Sequence, residues 1–396
     1  MPKVDLKHYF GREQAYVKHC LLEKYLAPLV YKVGSAWDSI VYIEGFSGPW
    51  QVNDPDLRDS SFGVALESLR AAHVGLYERH GRNVPIEMIL VEADRHAFRK
   101  LEEYATKRTA SGFRVHPLFG EFAQQIPNIR HLVRTHCQNP FRFVFLDPKG
   151  WADIPMHEMQ PFLHDRSCEV LINLMTRHII RFLDEESRSE SYNDLFGRTG
   201  VLDRLRSTPR EHNERAEQAV REYCKSLSQL CGYRYVSSAV ILEPVEESVR
   251  YFLVYGTNAL DGLIVFKNAE IAAARIQDRV RTETRIRITH QTEFMFGAGS
   301  PKSRLAESLR DRYLKRARQK VVKVLKHSTD PRGVSYEKLF REAMAFPLVT
   351  PTDLENWLDD LHPHVEKKFE PTDKRRRKLS PYRDDRILVV NTEGLA

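Results

Sequence analysis

Five short apolar runs separated by longer helical segments, then two strand signals too close together for a crossover, leave this chain few possible folds. The runs are Ile40 to Glu44, Ile86 to Glu92, Phe113 to Leu118, Phe143 to Asp147 and Val170 to Leu174. Each is rich in Val, Ile, Leu and Phe and lacks strict polar alternation, which predicts parallel strands buried on both faces. Tyr235 to Leu242 and Tyr251 to Gly256 follow, joined by the short acidic stretch Glu243 to Ser248. A parallel crossover needs a longer connection, so this pair predicts an antiparallel hairpin.

The fold class is therefore α/β, with a doubly wound, mainly parallel, Rossmann-like sheet of seven strands closed by an antiparallel hairpin. A class I methyltransferase sheet has this plan, whereas a dinucleotide-binding sheet ends in another parallel strand. Residues 1–39 form an N-terminal helical segment, with a helix from Glu13 to about Leu29 disturbed near its end by Pro28. Residues 40–300 form the α/β domain, with a polar helical insertion at about 184–222 and a closing helix from Ala269 to about Thr282.

Residues 301–396 read as a basic, winged-helix-like domain. Helices are expected at about Ser303 to Lys326, Tyr336 to Ala345 and Pro351 to Leu361, the last announced by a Thr350 and Asp353 capping box. Strands Val365 to Phe369 and Ile387 to Asn391 flank the run Lys374, Arg375, Arg376, Arg377 and Lys378, a wing tip suited to phosphate contacts. Asp353, Glu355, Asp359 and Asp360 on the presumed recognition helix would repel a phosphate backbone, which argues against a conventional major-groove reader.

Charge separates the two parts of the chain. Residues 301–396 hold 22 Lys or Arg against 15 Asp or Glu, while residues 1–300 hold 39 of each, so the whole excess of +7 lies in the last quarter. That asymmetry suggests a polyanion partner for one module alone. With 42% apolar and 29% charged residues the chain is globular in composition, and it lacks an uncharged apolar run of the ~18 residues that a membrane span needs. A soluble, cytoplasmic protein without a membrane partner is expected. The five cysteines have no CxxC spacing, and the set Cys224, Cys231 and His212 matches no common metal pattern, so no metal is expected.

Candidate site residues cluster at predicted strand ends. Glu44, Gly45, Phe46 and Gly48 form a tight turn after the first strand, which lacks GxGxxG and suits the amino acid part of S-adenosylmethionine. Glu92 ends the second strand, where an acid can accept both ribose hydroxyls. Asp94 is its alternate, or a helix cap. Gly120, Glu121 and Phe122 would form the adenine-side loop. The fourth strand runs into Asp147, Pro148, Lys149, Gly150 and Trp151. Asp147 and Pro148 place a carboxylate and a carbonyl where an amine can donate while its lone pair attacks a methyl sulfonium. Trp151 could stack on a base and Lys149 could contact phosphate. The GxSxG and GxxxxGK[ST] signatures are absent.

Several segments in order resemble the three-Cys-motif partner protein family. They are Lys18-His19 with Leu22 and Tyr25-Leu26, Tyr42 to Pro49, Asp147 to Trp151, Leu195-Phe196-Gly197, Tyr251 to Thr257 and Phe346-Pro347-Leu348-Val349. The resemblance spans most of the chain and implies a bacterial or phage protein with a methyltransferase-like domain and a winged-helix-like tail. It also implies a partner carrying a three-cysteine motif of the radical S-adenosylmethionine type. Asp-Pro-aromatic-Gly is similar to a motif of tRNA guanine-N2 dimethyltransferases, which points to a guanine or adenine amine as acceptor. Here Lys149 stands in place of the aromatic, and Trp151 is the candidate replacement.

Three functions follow as expectations. The first is an S-adenosylmethionine-dependent methyltransferase acting on DNA or RNA. The second is a noncatalytic subunit that delivers substrate to the three-cysteine protein. The third is a DNA-binding regulator, which the acidic helix disfavours.

Overall fold

The computed structural model describes residues 5–48, 52–110, 112–209, 213–289, 304–370, 378–392 and 395. The chain divides into two compact units, residues 1–300 and 301–396. In the first, strands β1 (Ser39–Gly45), β2 (Ile86–Glu92), β3 (Phe113–Phe119), β4 (Pro140–Leu146) and β5 (Cys168–Leu174) pair in parallel. Strands β6 (Tyr235–Leu242) and β7 (Val249–Thr257) form the antiparallel hairpin, and β7 also pairs antiparallel with β5. The order β3-β2-β1-β4-β5-β7-β6 is that of the class I methyltransferase fold. Every residue of β1, β2 and β5 is buried, whereas the edge strand β3 is partly wet.

Helices α1 (Glu13–Val33), α2 (Ser61–His80), α3 (Arg95–Arg108), α4 (Phe122–His136) and α5 (Met156–Leu163) alternate with the strands. Helix α1 runs through Pro28 instead of fading near it. Pro28 forfeits one helical hydrogen bond, but Leu26, Leu29, Val30 and Val33 are buried in the main core and hold the turn. Next come α6 (Thr176–Arg181), α7 (Ser189–Phe196), α8 (Val201–Ser207) and α9 (Glu214–Leu230). The polar segment expected to end near residue 222 thus continues to Leu230, because Ala216, Ala219, Val220, Tyr223 and Leu227 give α9 a buried face.

Helix α10 (Leu260–Thr289) is far longer than its apolar pattern suggests. Its polar half is fastened by Arg281, which donates to the Glu246 carbonyl at 3.1 Å and to Glu247 Oε1 at 2.8 Å, clamping the turn between β6 and β7. Among the described residues, no helix is long and apolar enough to cross a membrane.

The second unit holds α11 (Arg304–Lys326), β8 (Val334–Ser335), α12 (Tyr336–Met344), α13 (Pro351–Asp360), β9 (Val365–Lys368) and β10 (Arg386–Val389). The strands form an antiparallel sheet in the order β8-β10-β9, one strand more than expected, since β8 has too few residues to show in sequence. Thr350 and Asp353 form the expected capping box on α13. Three of that helix's acids are engaged inside the unit: Asp353 with Arg310 at 3.2 Å, Asp360 with Arg318 at 3.7 Å, and Asp359 with Lys367. Lys374, Arg375, Arg376 and Arg377 lie outside the described residues; Lys378 is exposed.

Ahead of α1, a buried ion pair fixes the loop between β1 and α2. Asp59 is fully buried, accepts from the backbone N–H of Asn53 and Asp54 at 2.9 and 3.2 Å, and pairs with the Arg12 guanidinium. Removing one member of such a pair strands the other charge in the interior. Asp59→Ala is therefore expected to cost about 3–5 kcal/mol in urea denaturation of the full chain. A loss under about 1 kcal/mol, the value of an exposed pair, would contradict this reading.

Candidate functional site

Strand order reverses between β1 and β4, and an open α/β sheet binds ligands at the carboxyl ends of the strands at that point. A cavity of about 840 Å³ lies there. Its wall takes Phe46 and Gly48 after β1, Glu92 and Asp94 at the end of β2, Gly120 to Phe122 after β3, and Asp147 to Lys149 after β4. The structure thus gathers four separated sequence segments into one site.

The turn after β1 is held in an uncommon conformation. Phe46 has φ of 73°, a left-handed backbone that a bulky residue rarely adopts. The neighbouring bonds impose it: Ser47 N–H donates to the Val91 carbonyl at 2.7 Å, and its hydroxyl donates to the Glu44 carbonyl at 2.9 Å. Gly45 serves packing and does not line the cavity. A Cβ there would sit 2.7 Å from the Phe122 ring and 3.0 Å from Leu146. Gly120, with φ of 136°, donates to the Glu92 carbonyl at 3.0 Å and joins the ends of β2 and β3.

Glu44 departs from its expected role as a cavity residue. It is fully buried beneath the site, where its carboxyl accepts from the hydroxyls of Tyr42 and Ser61, each at 2.5 Å. Ser61, at the start of α2, is the group that faces the cavity. Trp151 is likewise a correction. Its indole is buried against Phe182 and Tyr192, with centroids 5.7 and 5.5 Å apart, so it anchors the α6–α7 region and cannot stack on a ligand in the cavity. Asp94 caps α3, accepting from Ala97 N–H at 2.8 Å, while also lining the cavity.

Burial raises the Glu92 carboxyl above its usual range, and its Oε1 accepts from Asp94 N–H at 2.6 Å. Lys149 stands near enough to oppose that rise. Across the cavity, Asp147 accepts from Asn173 Nδ2 at 2.6 Å through Oδ1 and pairs with Lys18 through Oδ2. Lys18 comes from α1 and is 7% exposed, its ammonium 5.9 Å from the Tyr251 ring centroid. Asn173 is 3% exposed, and its Oδ1, closed off from solvent, has no hydrogen-bond partner among the described residues. Lys18, Ser61, Asn173, Arg250 and Tyr251 all line the site, yet none was assigned a role from sequence. Lys18 and Tyr251 stood within the family-like segments; Asn173 is the next-to-last residue of the β5 run and was available to the same strand-end reasoning.

Six carboxylates, Glu92, Asp94, Glu121, Asp147, Asp153 and Glu158, line the cavity against three cations, Lys18, Lys149 and Arg250. Such a wall suits a cationic ligand bearing hydroxyl and amine donors and opposes a pyrophosphate.

No family model and no curated protein sequence matches the chain. Among solved structures it is similar to an O-methyltransferase from Bacillus cereus in complex with SAH, at 14% identity over 59% of this chain and 80% of that one, with a TM-score of 0.31. It is also similar to the O-methyltransferase TomG from Streptomyces achromogenes in complex with SAM, at 15% identity over 60% and 79%, TM-score 0.32. A putative O-methyltransferase from Klebsiella pneumoniae gives 15% identity over 60% and 80%, TM-score 0.31.

Burial, opposed by the Ser61 and Tyr42 hydrogen bonds, raises the Glu44 carboxyl from 4.5 to about 7. The native chain therefore holds this proton more tightly than the unfolded chain, and the associated stability declines as pH rises from 4.5 to 7. Its size is on the order of 3 kcal/mol. Glu44→Gln should remove that part of the pH dependence in denaturation measured across this range. Parallel stability profiles for the two proteins would contradict the assignment.

Proposed function

We propose that the first unit binds S-adenosylmethionine in the carboxyl-edge cavity and that the chain is a methyltransferase. The observation that supports this best is the acid-rich wall at the β1/β4 switch point. Glu92 would accept from ribose hydroxyls, Gly120, Glu121 and Phe122 would border the adenine, and Phe46, Gly48 and Ser61 would border the amino acid part. When bound, the cofactor supplies an electrophilic methyl group on a sulfonium. The chain then has to orient the acceptor and exclude water.

The acceptor in this reading is an exocyclic amine of a nucleic acid base. Asp147 accepts from one of its hydrogens and leaves the nitrogen lone pair directed out of the base plane. The proton released on methylation passes to the Asp147 carboxylate. The second unit, taken as a winged-helix-like domain, carries the net positive charge and supplies affinity for DNA or RNA through Lys378 and the run Lys374 to Arg377. Lys149 would add a phosphate contact at the mouth. A base within a duplex would have to be flipped out to reach the cavity.

A three-Cys-motif protein is the proposed partner, on the strength of the family-like segments. A second reading makes the chain that protein's noncatalytic, substrate-delivery subunit. The burial of Trp151 favours it, since the residue offered for base stacking serves the core instead.

The deciding experiment measures methyl transfer from labelled S-adenosylmethionine to DNA and RNA, with and without the three-cysteine protein. The methyltransferase reading predicts incorporation by the full chain alone, lowered about a hundredfold or more by Asp147→Ala. It also predicts nucleic-acid affinity that falls steeply with salt. Incorporation that requires the partner and ignores Asp147→Ala would favour the delivery subunit.

A further inference from the structure

We propose that Lys18 is a specificity-determining residue that, paired with Asp147, selects bases presenting an amine beside an unprotonated ring nitrogen, as adenine and cytosine do, and rejects guanine. The proposal rests on the reading of the cavity as a site for a cofactor and a base amine, and it narrows the acceptor class within that reading.

The cavity wall on this side brings a carboxylate and an ammonium together. Asp147 is an acceptor fixed by Asn173 Nδ2 at 2.6 Å, and Lys18 is a donor held against Asp147. Asn173 and Lys18 are buried at 3% and 7% exposure, and all three residues line the cavity. An ammonium has donors and no acceptor, whereas an ionised carboxylate only accepts. The wall therefore sets an acceptor beside a donor.

Its complement is a donor beside an acceptor. A primary amine fills the first place with one of its hydrogens, and an adjacent ring nitrogen with a free lone pair fills the second. Adenine offers this through N6 with N1, and cytosine through N4 with N3. Guanine places N1–H beside its N2 amine on the open edge, so a donor would face the Lys18 ammonium. The other neighbour of that amine, N3, lies beside the sugar. A free carboxylate would welcome guanine's pair of N–H groups; the lysine converts the same position into a barrier. Rejection thus comes from an unfavourable contact with the wrong base as well as a favourable one with the right base.

Lys18 is held in place from several directions. Tyr251 flanks its ammonium at 5.9 Å, and the Tyr251 hydroxyl donates to the Gln14 carbonyl at 3.0 Å, one turn earlier on α1. Its donor is thus aimed by the docking of α1 on β7.

The test uses the full chain saturated with S-adenosylhomocysteine, which occupies the cofactor's own adenine pocket, and measures adenosine, cytidine and guanosine binding by ligand-observed NMR. Adenosine and cytidine should bind about tenfold or more tightly than guanosine, the discrimination expected of one good bidentate contact. Lys18→Met should collapse that ratio, and Lys18→Arg, which keeps a donor, should preserve most of it. S-adenosylhomocysteine binding is measured in the same samples. Its absence would overturn the cofactor reading and this proposal together. Cofactor binding with guanosine bound as tightly as adenosine and cytidine, or with none of the three bound, would overturn the edge selection alone. Should Lys18→Met fail to fold, the ratio for the native chain still decides the matter.

Discussion

A sheet covered on both faces must place its polar chemistry at the ends of its strands. Strands β1, β2 and β5 are buried along their whole length, so no ligand reaches them from the side. The reversal of strand order between β1 and β4 then opens a crevice at one edge, and the loops there carry the charged groups. The antiparallel β7 turns the same edge to account from the other direction. Because it runs backwards, Arg250 and Tyr251 near its start lie at the end of β5 and reach the same cavity.

Helix α1 completes this edge. Its apolar positions pack in the main core beside α2 and α10, while Lys18 reaches Asp147 and Tyr25 donates to the buried Glu169. The contact between Lys18 and Asp147 joins the segment that precedes the sheet to the strand end with the strongest chemical signal. Packing and site are thereby coupled: whatever holds α1 on the sheet also sets the charge of the site.

Much of this was legible in the sequence because it rests on local patterns. Continuous apolar runs located every strand of the large sheet, and the short Glu243 to Ser248 link required the hairpin. Strand-end reasoning found Glu92 and Asp147, since position along a strand decides whether an acid can face the cavity. Other features depend on partners remote in sequence. Glu44 and Asp147 both follow apolar runs, yet Tyr42 and Ser61 enclose the first and the cavity exposes the second. Trp151 sat in the best motif, but Phe182 and Tyr192, from a segment without a clear pattern, drew it into the core. Lys18 stood in a family-like segment, but its carboxylate partner is 129 residues away in sequence, so local pattern does not show its role. The acids of α13 looked repulsive because sequence does not show Arg310, Arg318 and Lys367 beside them.

The central claim is that the carboxyl-edge cavity holds a cationic sulfonium nucleoside. Calorimetric titration of the full chain with S-adenosylmethionine, beside a Glu92→Ala variant, tests it most directly. Micromolar binding that weakens at least about tenfold in the variant is the predicted result, as expected for loss of a charged group's hydrogen bonds to the ligand. No heat of binding to the native chain at millimolar ligand, or equal affinity in both proteins, would contradict it.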